Sequence, residues 1–180
     1  ISKGSISNFP DFLGIGAQKA GTTWLYKNLQ KHPQLYLPKT KEIHFFDWHF
    51  YKSINWYCKH FNDADTSQYK GEITPCYSIL SDEKIRFIHK MNPKLKIILL
   101  LRNPIERAWS HAVMNLAKKN RTDINFEIID LVSIIKLAKR KKKKDMHLIK
   151  DKEFIAHFNH SRSIERGNYL KIIKKWEKYF

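Results

Sequence analysis

Apolar positions along this chain follow two patterns in alternation, short unbroken runs and longer stretches with apolar residues three to four apart. Phe12, Leu13 and Ile15 make a short run punctuated by Gly14 and Gly16, and from Thr22 the spacing turns helical, with Leu25 and Leu29 one turn apart. That order predicts strand, glycine loop, helix. Lys31, His32 and Pro33 close the helix, and residues 34–38 predict a second short strand held between prolines. Ser53 predicts the cap of a helix that runs to Phe61 and buries Trp56, Tyr57 and Phe61. Residues 69–74, YKGEIT, predict another strand, stopped by Pro75. Ser81, Asp82 and Glu83 then form a good helix start, with Ile85, Phe87, Ile88 and Met91 as its buried stripe.

Residues 96–101, KIILLL, are the most hydrophobic stretch and show no alternation, the pattern of a central strand in a parallel sheet covered on both faces. Arg102 ends it. Asn103 as cap and Pro104 at the first helical position open a helix whose predicted inner face is Ile105, Ala108, Trp109, Ala112, Val113 and Leu116. Residues 126–138 read as helix, residues 139–144, KRKKKK, as a basic block, and residues 164–180 as one amphipathic helix with Tyr169, Ile172, Ile173, Trp176 and Phe180 inward. Strands alternating with helices imply an α/β fold, a central parallel sheet flanked by helices in three layers. The 180 residues are one domain's worth of chain.

Charge narrows the partners. The 34 basic and 17 acidic residues leave a formal net charge of +17, a surplus that attracts anions without choosing between nucleotides, nucleic acid, membrane surface and acidic polymers. Cys58 and Cys76 have no C-x-x-C spacing, so free thiols are expected, rather than a disulfide framework or a zinc site. No apolar run approaches the roughly 20 residues that cross a bilayer. The chain begins at Ile1, which leaves room for an upstream signal or anchor, and localisation stays open.

The glycine loop carries the clearest chemistry. From Gly16 to Thr23 it reads G-x-x-x-x-G-T-T, close to the phosphate-binding loop G-x-x-x-x-G-K-[ST], but its lysine stands inside the loop at position 19. Backbone amides at a helix N-terminus, the hydroxyls of Thr22 and Thr23 and the Lys19 ammonium suit a phosphate. The plainer alternative is a glycine turn with a solvated lysine. In doubly wound sheets ligands collect at the carboxyl ends of the strands, where both this loop and Arg102 would lie. In residues 41–47, KEIHFFD, an extended backbone would set Glu42 and His44 on one side, with Asp47 and His49 facing away. That geometry argues against a metal site built from the four. Glu42 paired with Lys39 or Lys41, and His44 as a satisfied structural histidine, are the structural alternatives.

Taken together, GAQKAGTTWL, KEIHFFD, GEITPCY and LLLRNPIERAWSH resemble the sulfotransferase family, whose members use 3′-phosphoadenosine 5′-phosphosulfate (PAPS), and in particular its heparan sulfate glucosaminyl branch and bacterial relatives. ERGNYLKIIKKWEKYF is similar to a later helix of that family. The resemblance implies a P-loop-like fold in which Lys19, Ala20, Gly21, Thr22 and Thr23 hold the 5′-phosphosulfate, Lys19 lying against the bridging oxygen. It implies that Arg102 and Ser110, about two helical turns apart, hold the 3′-phosphate. It further implies Glu42 as catalytic base with His44 beside it, and Trp24 either stacked on adenine or packed in the core. The implied reaction moves a sulfuryl group to a hydroxyl or amine, and it demands no metal. The basic surplus favours an acidic glycan as acceptor, yet small-molecule sulfotransferases share the same donor loop; nucleic acid is not an expected partner.

A nucleotide kinase or triphosphatase on the same loop, and a polyanion-binding protein without catalysis, are the competing readings. Two departures from the family stand out. Ile73 occupies a position that is usually lysine in the glucosaminyl enzymes, and the chain ends at Phe180, where relatives continue into a further strand and a nucleotide-closing loop. The expectation is therefore a single sulfotransferase-like domain over residues 1–180 without the C-terminal part of the family fold. Its compartment would be cytoplasmic for a bacterial protein and the Golgi lumen for a eukaryotic one separated from its anchor.

Overall fold

A computed structural model of the chain describes residues 8–119 and 151–180, so the helical reading of residues 126–138 and the basic block at 139–144 lie outside the described residues. The described chain divides into two compact units, one formed by residues up to Arg102 together with Asn168–Phe180, the other by Asn103–Gly167.

The first unit is built on a four-stranded, all-parallel sheet in the order β2-β3-β1-β4, where β1 is Phe12–Gly16, β2 Leu35–Tyr36, β3 Tyr69–Ile73 and β4 Lys96–Leu99. Helix α1, Thr22–Leu29, follows β1. Helix α2, Ile54–Cys58, runs on into a 3-10 turn at Lys59–Phe61; a second such turn, Pro75–Ile79, follows β3, and α3, Asp82–Met91, leads into β4. The register pairs Leu13 with Glu72 of β3 and with Ile97 of β4, so β1 lies between the two.

Side chains of β1 alternate between two apolar clusters, as the pleat requires. Leu13 and Ile15 point into the larger one with Phe45, Phe46, Tyr57, Tyr77, Ile85, Ile88 and Trp176; Phe12 joins Tyr26, Leu37 and Ile73 in the smaller. Gly71 on β3 is required by close approach, since a Cβ there would come within 2.1 Å of the Phe12 ring.

Two expectations change. The apolar run after Lys96 forms not a central strand but the edge of the described sheet, and Ile97, Ile98 and Leu99 are only half-buried. The long C-terminal helix is broken: α6, Ser161–Gly167, ends in the second unit, and Asn168 starts α7, Tyr169–Trp176, by accepting a hydrogen bond from the Lys171 amide at 3.1 Å. An asparagine side chain that satisfies a helix-start amide favours a new helix over continuation of the old one. Ile172 and Trp176 are buried as expected.

The second unit holds α4, Pro104–Lys119, α5, Asp151–Phe158, and α6. Asn103 caps α4 through its Oδ1, which accepts from the amides of Ile105 and Glu106. The buried side of α4 matches the predicted apolar one only in part: Ala112 is fully buried, but Ile105 is 74% exposed and Trp109 is exposed as well, while Arg107, Ser110 and His111 are buried. Arg107 Nη2 donates to the Ser163 carbonyl at 2.8 Å and His111 Nδ1 lies 2.9 Å from His157 Nε2. Each of the two side chains thereby has a polar contact where apolar packing was expected. No described helix is long and apolar enough to cross a membrane.

Candidate active site

The loop after β1 is shaped by backbone conformation first. Lys19 and Gly21 have φ of 68° and 92°, both left-handed, and Gly21 precedes α1 with open space where a Cβ would stand. The first helical bond of α1 runs from the Leu25 amide to the Gly21 carbonyl at 3.0 Å, so the amides of Thr22 and Thr23 stand ahead of it at the positive end of the helix. Thr22 is buried, Lys19, Ala20 and Thr23 are half-buried, and Gly21 is exposed. A phosphate-sized anion fits this cradle by charge, by donor set and by the open space at Gly21.

Loop and β4 end meet. The Leu100 amide donates to the Gly16 carbonyl at 2.7 Å and the Ala17 amide to the Leu100 carbonyl at 2.9 Å, which carries Arg102 to the loop. Arg102 Nη1 then donates to the Lys19 carbonyl at 3.1 Å, and the Arg102 carbonyl accepts from the Tyr169 hydroxyl at 2.8 Å. Two cationic residues far apart in sequence thus share one end of the sheet. Trp24, on the outer side of α1, is 69% exposed, which removes the core alternative and leaves its ring open to stacking. Ser110 is 7% exposed on α4 in the second unit.

The segment from Lys41 to Asp47 is not extended. Glu42 and His44 sit at φ of 62° and 55°, uncommon for residues with a Cβ and costing on the order of 1–3 kcal/mol each. The chain turns at each of them, and this changes which groups meet. His44 Nε2 still lies 3.4 Å from Glu42 Oε2, but Asp47, expected to face away, returns to His44 Nδ1 at 2.8 Å. Lys41 also pairs with Glu42. The Trp48 ring stacks on His44 at 3.6 Å.

Electrostatics follow from those contacts. Burial works to raise the Glu42 pKa, but hydrogen bonds from His44 and Lys41 outweigh it and hold the carboxyl down at about 2. Burial likewise works to lower the His44 pKa, and Asp47 and Glu42 outweigh it, pushing the imidazole up to about 9. At neutral pH the pair is a carboxylate beside an imidazolium. The turns also bring potential ligand atoms of His44, Asp47 and Cys76 within 4.8 Å of one another, where the extended reading had set Asp47 facing away.

Linkage gives a stability prediction. With a folded pKa of about 9 against an ordinary 6.5, the His44 contribution is complete below 6.5 and is lost as pH rises through 9. Urea midpoints should therefore fall across that window in the parent and fall less in His44→Gln. Glu42 works in the opposite sense, its contribution being lost only as pH drops from 4.5 towards 2.

Sequence reasoning missed what stands behind this segment. Glu72 of β3 is 2% exposed and its carboxylate accepts from the hydroxyls of Tyr57 at 2.7 Å, Thr74 at 2.9 Å and Tyr77 at 3.0 Å. Burial raises its pKa and those donors pull it back. The one available signal was an acidic residue inside the predicted strand at residues 69–74. Ile73, where the resemblance leads one to expect lysine, is fully buried against Phe12, Tyr26 and Leu37.

A parallel α/β sheet with an anion cradle after its first strand defines the broad class, nucleotide-loop proteins. The comparisons narrow it. The model of the sulfotransferase domain matches residues 9–180, and the chain belongs to the sulfotransferase family. It is 36% identical over 125 residues to the membrane-associated sulfotransferase kil1 of Dictyostelium discoideum, covering 67% of this chain and 26% of that protein. It is 28% identical over 180 residues to human heparan sulfate glucosamine 3-O-sulfotransferase 5, covering 97% of this chain and 46% of that protein. The chain thus spans less than half the length of these curated relatives. The crystal structure of a sulfotransferase from Alicyclobacillus acidocaldarius superposes with a TM-score of 0.66 at 24% identity, over 96% of this chain and 69% of that one, and the two share a fold.

Proposed function

We propose that this chain transfers a sulfuryl group from PAPS to a hydroxyl or amine of a glycan acceptor. The observation that carries the reading is the convergence of Lys19, the amides at the start of α1 and Arg102 on one end of the sheet, joined by the bond from Arg102 to the Lys19 carbonyl. Lys19, Ala20, Gly21, Thr22 and Thr23 would hold the 5′-phosphosulfate, Arg102 the 3′-phosphate end, and Trp24 the adenine. Ser110 enters through the family motif it occupies.

In the reaction the acceptor oxygen or nitrogen forms a bond to sulfur as the bond from sulfur to the bridging oxygen breaks. The electron pair leaves on the 5′-phosphate, the Lys19 ammonium stabilises the charge that grows there, and Glu42 takes the acceptor's proton. Such loosely bonded transfers depend mainly on alignment and charge. His44 and Lys41 keep Glu42 ionised. A glycan acceptor is supported by the named activity of the human relative and by the net charge of +17, which would draw in an acidic polymer.

Incubation with ³⁵S-labelled PAPS and a panel of desulfated glycans and small alcohols tests the reading. Label should appear on a glycan with release of 3′-phosphoadenosine 5′-phosphate. Magnesium-dependent hydrolysis of ATP without transfer, or retention on heparin that survives both Lys19→Ala and Arg102→Ala, would replace it.

A further inference from the structure

We infer that Glu72 and Tyr77 are positioning residues for Glu42 and His44, a buried pair that fixes the backbone between them so that both stay in their left-handed conformation. The inference rests on the proposed role of Glu42. Two residues with a Cβ, separated by a single position, rarely both hold positive φ without outside support, and here the support is visible on alternate residues. His44 has φ of 55° and the Phe45 amide next to it donates to the Tyr77 hydroxyl at 2.8 Å, whose own proton goes to Glu72; Glu42 has φ of 62°, and the Ile43 amide next to it acts on the Glu72 carboxylate, lowering its pKa.

The direction of the bonds makes the pair one device. A phenol has a single proton, and Tyr77 gives it to Glu72 Oε1 at 3.0 Å, which leaves its oxygen lone pairs to accept from Phe45, with the Phe46 amide at the 3.4 Å margin. Glu72 is itself fixed by Tyr57 and Thr74. Phe45 and Phe46, packed on Tyr57 at 4.6 Å and 5.1 Å between ring centroids, hold the segment in the core, but ring packing alone leaves the peptide planes free to rotate. The hydrogen bonds set the planes. Glu42 and His44 then project from the two turns within reach of each other, at 3.4 Å.

Tyr77→Phe tests this, because it keeps the ring against Phe46 and removes only the hydroxyl. The expected result is a fall in kcat of about tenfold with affinity for 3′-phosphoadenosine 5′-phosphate unchanged by calorimetry, since a misplaced base affects turnover and not the donor loop. His44, followed by NMR, should titrate closer to its ordinary 6.5 than the parent's value of about 9. Ile88→Val, a mild change in the same core cluster away from residues 42–46, should leave both readings at parent values. Glu72→Gln, isosteric and with one acceptor oxygen retained, should reproduce the result if Tyr77→Phe does not fold.

An unchanged kcat in Tyr77→Phe, or a reduced kcat with His44 titrating as in the parent, would overturn the inference. A parent protein that transfers no sulfuryl group while Tyr77→Phe still shifts His44 would overturn the proposed reaction and leave the positioning role standing.

Discussion

Glu42→Gln is expected to bind 3′-phosphoadenosine 5′-phosphate as tightly as the parent and to turn over about 10²- to 10⁴-fold more slowly, the usual range for loss of a positioned proton acceptor. Glutamine matches glutamate in size, and its amide oxygen can still accept from His44 or Lys41, so the turns at residues 42 and 44 should persist. The capacity to take a proton is lost. A carboxyl held at about 2 is a weak base towards a free hydroxyl, but the hydroxyl proton becomes acidic as its oxygen bonds to sulfur. Transfer would therefore come late, and its rate should not fall on the acid side until pH nears the Glu42 pKa. Measurement of kcat against pH, with nucleotide affinity determined in parallel, checks both points; an undiminished rate removes Glu42 from the mechanism.

Lys19→Ala should lower kcat/KM by about 10²- to 10³-fold, some 2.7–4 kcal/mol of transition-state stabilisation, as for removal of one donor aimed at developing negative charge. The substitution is clean for a geometric reason. Alanine at residue 19 meets the same left-handed backbone that lysine already tolerates at φ 68°, and the bond that Arg102 makes goes to the backbone carbonyl, which alanine keeps. Loop shape should therefore survive while the stem and its ammonium are lost. Single-turnover rates with PAPS, compared with Lys19→Met to retain the stem, give the readout, and a rate equal to the parent's refutes the role given to Lys19.

The loop and its strand were legible because both depend on local signals, glycines at fixed spacing and an apolar run that gives way to helical periodicity. The same holds for the caps at Ser53 and Asn103, whose side-chain oxygens accept from nearby amides as their positions suggest. Other features depend on partners far along the chain. Arg107 and His111 are buried on α4 in polar contact with the Ser163 carbonyl and His157, which no periodicity encodes. The turns at Glu42 and His44 run against the extended backbone that the sequence suggests, and the amide that follows His44 is received by the Tyr77 hydroxyl, itself bonded to Glu72 far along the chain. An unbroken apolar run was likewise an incomplete guide to β4, which lies at the edge of the described sheet.

Pleating divides strand β3 between two duties. Neighbouring side chains on it leave by opposite faces, Glu72 towards the segment that carries the proposed base and Ile73 against Tyr26 of the helix that begins at the anion cradle. One peptide unit therefore braces both the segment of the proposed base and the helix behind the proposed donor loop. A shift of this strand by a fraction of an ångström would displace both together, so the spacing between them is carried by a common beam.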